Sequence, residues 1–341
     1  MEVLKEIGKG AYGSVYSLAN NKNYALKKLH DVNKRDSDMI RSILLEISSM
    51  SLLNHPNIMK CRGFMLSSKS IEYYMKRYPM SLMNFLNNFI SKKKYIPTST
   101  INNMLIDILS GIDYLHINNI LHLDISDDNI MLDENLRCVI TDFGLSDITH
   151  PSIFFDTNNK KQKFPVFKNP FASPEVLNES YYELSSDIWA FGILMARMFN
   201  YKYIFNNVNN RDDQKKEIVK YLEFNVNEKL NFIKNWMEPR EIDYEGIYAV
   251  ETDITPTHIN ILLAIFVEEI EHRPSAKQIM SYLNLCEISP KSNIENHIDE
   301  SNLRYYLIDT LNRDIFDINK FKLVSRKMKN ELNFSGTSIL E

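Results

Sequence analysis

Two short stretches of the sequence hold polar side chains at a spacing that could transfer a phosphoryl group. In residues 122–129, His-Leu-Asp-Ile-Ser-Asp-Asp-Asn, the carboxylate of Asp124 could take or orient a hydroxyl proton. Asn129 ends this stretch, and Asp142 opens Asp-Phe-Gly. Both carry oxygen atoms that could hold Mg²⁺ against nucleotide phosphates. The same residues could also form a polar turn between two strands, so the chemistry depends on the surrounding elements.

A glycine-rich segment near the start of the sequence could cover phosphate groups. Gly8, Gly10 and Gly13 lie within six residues of a chain that has nine glycines in all. With Val15 they form the pattern G-x-G-x-x-G-x-V between two strand-like runs, which favours a hairpin over a dinucleotide-binding turn. Backbone N–H groups of such a hairpin can approach phosphates because glycine has no side chain. Lys27, in the Tyr-Ala-Leu-Lys that follows, could neutralise the phosphate charge.

Hydrophobic periodicity predicts the elements that must position these groups. Apolar residues recur at three- and four-residue spacing over 36–53 and 100–117, so both ranges are predicted to be helices. The second helix leads to the stretch around Asp124. The first carries Glu46, which on a helix is by default a solvated charge. Strand-like runs are predicted at 3–7, 59–65, 70–75, 130–132 and 137–140, with a hinge at 76–79.

Further motifs follow in the second half of the sequence. Residues 145–172 lack periodicity and are predicted to form a functional loop. The loop ends at Phe-Ala-Ser-Pro-Glu, whose last residue is Glu175, and a helix that carries Asp187 in Asp-Ile-Trp-Ala-Phe-Gly comes next. Arg273 lies later, in His-Arg-Pro-Ser. Beyond about residue 288 no motif with chemical character remains.

Seven motifs, in this order, resemble those of eukaryotic-type protein kinases over roughly residues 1–287. The resemblance implies an α+β fold of two lobes, with ATP bound in the cleft between them. It implies a small β-rich N-lobe over 1–75, and a hinge and larger helical C-lobe over 76–287. Residues 288–341 are then a C-terminal extension of unknown role.

The resemblance also implies a role for each candidate catalytic and metal-binding residue. Asp124 would accept or orient the proton of the substrate hydroxyl. Lys27, oriented by an ion pair with Glu46, would neutralise the α- and β-phosphates. Asn129 and Asp142 would bind Mg²⁺, the cofactor that the family uses with ATP.

The same resemblance implies a nucleotide pocket and two structural anchors. Met75 would be the gatekeeper, and residues 76–78 would offer backbone groups to the adenine edge. Asp187 would hold the backbone of the catalytic loop, and Arg273 would form a buried ion pair with Glu175. The full set expected around ATP is Ile7, Gly8, Gly10, Gly13, Val15, Ala25, Lys27, Met75, Lys76 and Tyr78.

Two residues depart from the family pattern. Leu123 stands where the catalytic loop usually has Arg, and Ser126 where Ser/Thr kinases usually carry Lys. In the family, this Arg binds a phosphate on the activation loop, and Leu123 cannot do so. We therefore predict that activity does not depend on phosphorylation of the activation loop. By the family's spacing, Lys168 stands where a Thr is expected, so Lys168 could supply the catalytic charge that Ser126 lacks. Alternatively, Lys168 is a solvated loop charge.

The resemblance implies transfer of the γ-phosphoryl group of MgATP to a protein substrate. The segment before Glu175 looks closer to the Ser/Thr class than to the tyrosine class. Two alternatives stay open. One is a pseudokinase that binds partners without catalysis. The other is a small-molecule phosphotransferase of the aminoglycoside or choline kinase type, which also lacks the Arg but is not expected to carry the glycine hairpin, Ser-Pro-Glu and the late Arg-Pro together.

Length, charge and cysteine content indicate the compartment and the classes of partner expected for this protein. The chain has 341 residues and a formal net charge of -4, which argues against nucleic acid or a membrane surface as the main partner. The start does not resemble a signal peptide, and no apolar run is long enough to span a bilayer. Three widely spaced cysteines predict buried thiols in a reducing compartment. We therefore expect a cytoplasmic monomer.

Overall fold

The computed structural model describes residues 3–9, 13–19, 21–30, 46–47, 50–66, 70–92, 94–148, 169–178, 181–205, 211–237 and 254–283. These residues belong to two compact units. The N-terminal unit takes in the described residues up to Asn54 and Ile58–Arg77, and the C-terminal unit takes in His55–Asn57 and those from Tyr78 onward. Gly10, Lys168 and the predicted extension at 288–341 lie outside the described residues, and the predicted roles of 1–75, 76–287 and 288–341 stay predictions.

The N-terminal unit is built on one antiparallel sheet of five strands. Their order across the sheet is β1-β2-β3-β5-β4. The strands predicted at 3–7, 59–65 and 70–75 are confirmed. Each continues one or two residues past its predicted end, and β4 also begins two residues later than predicted. The bounds are β1 Val3–Lys9, β2 Ser14–Leu18, β3 Tyr24–His30, β4 Cys61–Leu66 and β5 Ser70–Lys76.

Strand alternation puts successive side chains of β3 on opposite faces of this sheet. Lys27 and its cross-strand neighbour Tyr73 are both buried. Lys28 lies opposite Glu72, and its ammonium forms an ion pair with that carboxylate at 2.6 Å. Lys28 follows Lys27 and therefore lies on the opposite face, where about a third of its side chain is exposed.

Part of the predicted first helix lies within the described residues. Residues 46–47 and 50–52 are helical, and the earlier part of the range 36–53 lies outside the description. Ile47 and Met50 are buried, as are Leu29 and Ile71 of the sheet. The helical spacing of its apolar residues therefore serves to pack this segment into the core of the N-terminal unit.

The C-terminal unit is mainly helical. The predicted apolar stripe of the second helix is confirmed, because Ile101, Met104, Leu105, Ile108, Leu109, Ile112 and Leu115 are all buried. The described helices of this unit are α1 Leu82–Ser91, α2 Thr98–Ile117, α3 Pro174–Leu177, α4 Leu184–Asn200, α5 Arg211–Leu222, α6 Val226–Met237, α7 Pro256–Ile265 and α8 Ala276–Tyr282. Short 3₁₀ turns occupy Asn169–Phe171 and Ile270–His272.

Helix α4 lies at the centre of this unit. Its residues from Ser186 to Phe199 are all buried, including the charged side chains of Asp187 and Arg197. Trp189 packs edge-to-face on Phe266 with ring centroids 4.9 Å apart. Because buried charges are retained where they bind a partner, the two charged side chains of α4 indicate anchoring points.

Two small sheets bracket the polar stretches that the sequence singles out. Strand β7 (Ile120–Leu121) pairs with β10 (Asp147–Ile148), and β8 (Ile130–Leu132) pairs with β9 (Cys138–Ile140). Strand β6 (Met80–Ser81) adds to β8 on its other side. Residues 122–129 connect β7 to β8, and residues 141–146 connect β9 to β10. The pairings therefore bring the two stretches side by side, with the Thr141 amide donating to the Asn129 carbonyl at 2.9 Å.

None of the helices in the described ranges combines the length and apolar character needed to cross a membrane.

Candidate active site

The N-terminal unit contributes a buried lysine held by a carboxylate. Lys27 Nζ lies 2.6 Å from Glu46 Oε1, and the predicted ion pair is therefore present. Glu46 is 1% exposed and also accepts a hydrogen bond from the Tyr73 hydroxyl at 2.5 Å. Two donors on one carboxylate fix its position, and the carboxylate in turn fixes the ammonium on strand β3. Tyr73 was not predicted, although its register opposite Lys27 follows once the two strands are paired.

The glycine-rich hairpin is described at both of its strands. Strands β1 and β2 pair antiparallel on either side of it, with Gly8 opposite Val15. A Cβ atom at Gly13 would overlap the carbonyl oxygen of Lys28, so glycine is required there by the neighbouring strand. Gly8 has ordinary space around it, and the side chain of Ile7 is well exposed. Phosphate binding by this hairpin stays a prediction.

The predicted adenine-binding residues lie at the end of strand β5. Met75 is half-buried and lies opposite Ala25, which is buried on strand β3. Lys76 is exposed and pairs across the strands with Tyr24, and the Arg77 amide donates to the Asn23 carbonyl at 2.7 Å. These bonds hold the backbone at this edge of the sheet. Tyr78, the last residue of the predicted set, opens the second run of the C-terminal unit.

In the C-terminal unit, Asn129 orients Asp124. The Asn129 amide nitrogen Nδ2 donates to the Asp124 carboxylate oxygen Oδ2 at 2.6 Å and to the Asp124 carbonyl at 2.9 Å. The Asn129 amide N–H donates to the Ser126 carbonyl at 3.0 Å. Asp124 is half-buried, whereas Asn129 is buried. The loop therefore presents one carboxylate whose rotamer is set by an amide five residues later.

Asp142 lies beside this loop in a left-handed backbone conformation. Its φ is 66°, a region in which Asp and Asn are tolerated and most other non-glycine residues are strained. Phe143 is fully buried and packs edge-to-face on the His122 ring, with centroids 5.0 Å apart. His122 Nε2 lies 3.1 Å from the Thr141 carbonyl. The stretch at 141–143 is thus fastened to the start of the catalytic loop.

Asp187 holds the start of the catalytic loop, as predicted. Its two carboxylate oxygens accept the backbone amides of His122 at 2.9 Å and Leu123 at 2.8 Å, and His116 Nε2 lies 3.0 Å away. Burial by itself would raise the pKa of Asp187, but the bonds from His116 and from the His122 amide outweigh it and the pKa lies below its ordinary value. An ionised carboxylate therefore secures Leu123, whose φ is 62°.

The two residues that depart from the expected pattern, Leu123 and Ser126, are both buried. Leu123 is 6% exposed, so an apolar side chain is buried where a cationic one was expected. Ser126 is fully buried. Lys168, the proposed source of the missing charge, lies outside the described residues, and the exchange of roles between Ser126 and Lys168 stays a prediction.

The predicted ion pair between Arg273 and Glu175 is present. Arg273 donates from Nη1 to Glu175 Oε1 at 2.8 Å and from Nη2 to Glu175 Oε2 at 2.9 Å. Glu175 Oε1 also accepts the Ser186 hydroxyl at 2.8 Å, and the guanidinium lies 4.9 Å from the Trp189 ring centroid. Burial raises the pKa of Glu175, but the Arg273 bonds and charge outweigh it, leaving the pKa below its ordinary value. The pair ties helix α3, which carries Glu175, to helix α4 and the motif after α7.

Breaking this pair is expected to destabilise the C-terminal unit strongly. Replacing Arg273 with Met leaves a buried carboxylate without its cation, which typically costs about 3–5 kcal/mol of unfolding free energy. The pKa of Glu175 is lowered in the folded protein, so the stabilisation that depends on its charge is present above the carboxyl's ordinary pKa and is lost as the pH falls through the lowered value. Urea unfolding of wild type and Arg273→Met across the acidic range measures both effects.

Glu175→Gln combined with Arg273→Met is the control for that experiment. The double variant has no buried charge at this position, so it should recover much of the lost stability and show a flatter pH dependence. A single Arg273→Met variant as stable as wild type at neutral pH would contradict the buried geometry.

One buried acidic residue of the same unit was not predicted. Asp107 lies beside the apolar stripe of helix α2, and it accepts the Cys138 amide at 2.9 Å and lies 2.6 Å from Arg137 Nη2. Burial raises its pKa even though Arg137 opposes the shift. Its spacing in the sequence gives no signal of this role, because position 107 lies outside the stripe. The bond to Cys138 anchors strand β9, which leads to Asp142.

The donor set beside Asp124 fits a magnesium ion that also binds nucleotide phosphates. Among the described residues no group of three or more His, Cys, Asp and Glu side chains could hold a metal by itself. Mg²⁺ needs fewer protein ligands, because it keeps waters and takes oxygen from substrate phosphates. The Asn129 nitrogen donates to Asp124, so the amide oxygen is the atom of this side chain that could bind a metal. Asn129 and Asp142 together thus offer a neutral and an anionic oxygen donor.

Sequence comparison agrees with this geometry. A sequence model described as the protein kinase domain matches residues 1–283. The cyclin-dependent kinase 4 homolog of Caenorhabditis elegans is 30% identical over 209 residues, covering 58% of this chain and 49% of the relative. Cyclin-dependent kinase B2-1 of Arabidopsis thaliana is 24% identical over 310 residues, 86% of this chain and 96% of the relative. Mitogen-activated protein kinase 2 of Arabidopsis thaliana is 29% identical over 248 residues, 70% of this chain and 63% of the relative.

Coverage differs among the relatives. The chain spans about half the length of the Caenorhabditis elegans protein, at 49%, and less of the CTD kinase subunit alpha of Saccharomyces cerevisiae, at 38%. The similarity is therefore to the part of these proteins that aligns with the chain.

Proposed function

Because this chain belongs to the protein kinase family, we propose that it transfers the γ-phosphoryl group of ATP to Ser and Thr hydroxyls of proteins. The relatives' names support the Ser/Thr class, since cyclin-dependent and mitogen-activated protein kinases are among them. The single observation that carries the proposal is the hydrogen bond from Asn129 to the Asp124 carboxylate, because it joins the proposed base to a proposed magnesium ligand.

Asp124 is the proposed acceptor or orienter of the substrate hydroxyl proton. The carboxylate is half-buried and held by Asn129, so it can take a proton without first reorganising. Its loop is anchored by Asp187, which reduces the freedom that a polar loop would otherwise have. Positioning of this kind supplies most of the catalysis in phosphoryl transfer, where the protein does little covalent chemistry.

Asn129 and Asp142 are the proposed ligands of Mg²⁺, through the amide oxygen and the carboxylate. When bound, the ion neutralises charge on the nucleotide phosphates. The left-handed conformation of Asp142 and the burial of Phe143 hold the carboxylate at the end of strand β9. Lys27 is proposed to bind the α- and β-phosphates, with Glu46 and Tyr73 fixing its ammonium.

Two alternative functions, a pseudokinase and a small-molecule phosphotransferase, are tested by the assay described below. A pseudokinase is disfavoured because Lys27, Glu46, Asp124, Asn129 and Asp142 are all present. A small-molecule phosphotransferase is disfavoured because the Arg273–Glu175 pair links the two late motifs that this class is not expected to share.

One experiment separates these functions. The purified chain is incubated with labelled ATP and Mg²⁺, in parallel with a generic basic protein, with small alcohols and with neither. We expect label on Ser and Thr of the protein. Label on the alcohols alone would favour the small-molecule class, and no label in any arm would favour a pseudokinase or an inactive form. MgATP at about 100 times its Kd should also stabilise the fold by about 2.7 kcal/mol.

We further propose a reducing, cytoplasmic setting and a monomeric state. Cys61 and Cys138 are buried free thiols, which supports a compartment that keeps thiols reduced. Burial raises the pKa of both, so neither is suited to be a reactive thiolate. Cys286 lies outside the described residues. Fractionation and size-exclusion chromatography with light scattering test the two statements.

The buried Leu123 leads to a prediction about regulation. A leucine offers no donor to a phosphate, so the activation loop should not need phosphorylation at Ser146, Thr149, Ser152 or Thr157. Ser146 is buried and donates to the His122 carbonyl at 3.3 Å, which ties its hydroxyl to the loop. Phosphatase treatment of active protein should leave the rate within about threefold. Leu123 forms no charge-assisted bond to a phosphate, so removing phosphate breaks no such bond.

Mass spectrometry before and after treatment is the control that shows whether phosphate was present. A large loss of rate on removal would mean that a basic residue such as Lys160 or Lys161 binds the phosphate in place of residue 123.

A further inference from the structure

A second buried ion pair holds the catalytic loop, near its end. Asp127 is 1% exposed, and its Oδ2 accepts a hydrogen bond from Arg197 Nε at 2.5 Å. Arg197 is 7% exposed and lies on helix α4. The main chain at Asp127 is held as well, because its carbonyl accepts the amide of Met83, in the first turn of helix α1, at 2.9 Å. Both the backbone and the side chain of Asp127 are therefore committed to the surrounding helices.

Tyr203 completes this cluster. The Arg197 guanidinium lies over the Tyr203 ring, 4.1 Å from its centroid, and the phenol oxygen lies 3.3 Å and 3.4 Å from the two carboxylate oxygens of Asp127. Burial, and secondly the Asp127 charge, raise the pKa of Tyr203 to about 12. The phenol is therefore protonated at neutral pH and donates to Asp127. The carboxylate receives two donors, and the guanidinium is held by a ring and by the Tyr201 carbonyl at 3.2 Å.

The same helix thus anchors the loop at two points. Asp187 binds the backbone at residues 122 and 123, and Arg197 binds the side chain at residue 127. Ten residues of α-helix separate the two anchors, which corresponds to about 15 Å along the axis. Asp124 lies between the anchored residues in the sequence. Because both anchors lie on one buried helix, the distance between them is fixed. The loop segment that contains the proposed base is therefore held at both ends.

The cluster also reaches the segment that precedes helix α3. The Tyr203 ring packs edge-to-face on Phe171, with centroids 5.4 Å apart. Phe171 and Asp124 line the same small cavity, together with Leu123 and Ala172. The Tyr203 hydroxyl thus contacts Asp127, in the loop that carries the proposed base. The Tyr203 ring contacts Phe171, in the segment beside that base.

We propose that Asp127, Arg197 and Tyr203 form a positioning triad that sets Asp124 relative to the segment at 169–173 for phosphoryl transfer, a role that rests on the proposed kinase function. Buried ion pairs add little net stability compared with apolar replacements. Misplacement of a reacting group by about 1 Å, by contrast, can lower a rate by about 10²-fold. The larger effect of this triad is therefore expected on the rate of the reaction.

Kinetics of charge-removal variants test the triad. Arg197→Met should lower kcat by about 10- to 100-fold, because Asp124 loses the second anchor of its loop. The KM for ATP should stay within about threefold, since the triad does not bind the nucleotide. Tyr203→Phe keeps the ring and removes one hydrogen bond, so a smaller loss of about threefold is expected.

A double variant separates positioning from stability. Arg197→Met leaves a buried carboxylate without its partner and lowers the melting temperature, whereas Asp127→Asn with Arg197→Met leaves no buried charge. We expect the double variant to recover most of the melting temperature and to keep the low kcat. If the single variant does not fold, the double variant decides alone. A double variant with wild-type kcat would overturn the proposal.

Amide hydrogen exchange provides a readout that does not need activity. In Arg197→Met or the double variant, the amides of Asn129 and Met83 should exchange faster, while the amides of His122 and Leu123 stay protected by Asp187. Lys216→Met is the control, because it breaks an ion pair with Asp213 on helix α5, elsewhere in the same unit. It should change neither kcat nor exchange at residues 124–129.

The outcomes distinguish the two proposals. Unchanged exchange at residues 124–129 in folded variants would overturn the triad even if wild type phosphorylates proteins. Faster exchange in variants of a chain whose wild type transfers no phosphate would leave the anchoring in place and overturn both the kinase function and the catalytic purpose of the triad.

Discussion

Replacing Asp142 with Asn is expected to lower the rate of phosphoryl transfer by roughly 10³-fold or more, because the proposed anionic ligand of magnesium becomes neutral. Asn has the same shape and tolerates the left-handed backbone found at this position, where φ is 66°. An Ala residue would add backbone strain, so its effect would mix structure with chemistry. The fold of Asp142→Asn should therefore be intact, and its affinity for Mg²⁺ in the presence of ATP should fall.

The measurement is kcat at saturating MgATP, followed by a magnesium titration monitored by thermal stability. Asp133→Asn is the matched control, since it makes the same chemical change in the turn between β8 and β9, where the side chain accepts the amides of Asn135 and Arg137. This control should keep near-normal kcat. If Asp142→Asn turned over at the wild-type rate, the assignment of Asp142 to the metal would be wrong.

The second large effect is expected at Lys27. Lys27→Met should reduce kcat by about 10² to 10³-fold or more, because the proposed cationic donor to the phosphates is lost. It should also destabilise the N-terminal unit, because Glu46 is 1% exposed and loses the ammonium at 2.6 Å. Removing one partner of a buried pair typically costs about 3–5 kcal/mol, and the Tyr73 hydroxyl compensates only in part.

A double variant separates the two effects of the lysine. Lys27→Met with Glu46→Gln removes the orphan charge and keeps an acceptor for the Tyr73 hydroxyl, so the unfolding free energy should recover substantially. Catalysis should not recover, because no cation returns to the phosphates. Denaturant unfolding and kcat measured on the same preparations test both parts.

Tyr73→Phe is the control for the pair itself. It removes one donor to Glu46 and keeps the ammonium, so about 1 kcal/mol of stability should be lost with most activity retained. Recovery of activity in the Lys27→Met, Glu46→Gln variant would show that the lysine acts only by neutralising Glu46.

Local chemistry in the sequence was enough to predict the order of elements. The strand-like runs of the N-terminal unit and the helix predicted over 100–117, observed as Thr98–Ile117, follow from local apolar patterns, because these patterns depend on neighbours along the chain. The Asn129–Asp124 contact is also local, since Asn129 lies five residues after Asp124 in the same loop. The Arg273–Glu175 pair is different, because 98 residues separate its members and the family resemblance, rather than spacing, predicted it.

The sequence by itself therefore determined which polar residues occur, on which elements they lie and which reaction their types suit. Tertiary structure decided how they are held. Asp127 and Arg197 are 70 residues apart, and nothing local marks either as half of a buried pair. Packing of the loop on helix α4 brings them together, and burial in a region of low dielectric makes each charge require the other. The positive φ values of Leu123 and Asp142 have the same origin, because bonds and buried neighbours from distant segments hold a backbone that these residues would rarely adopt alone.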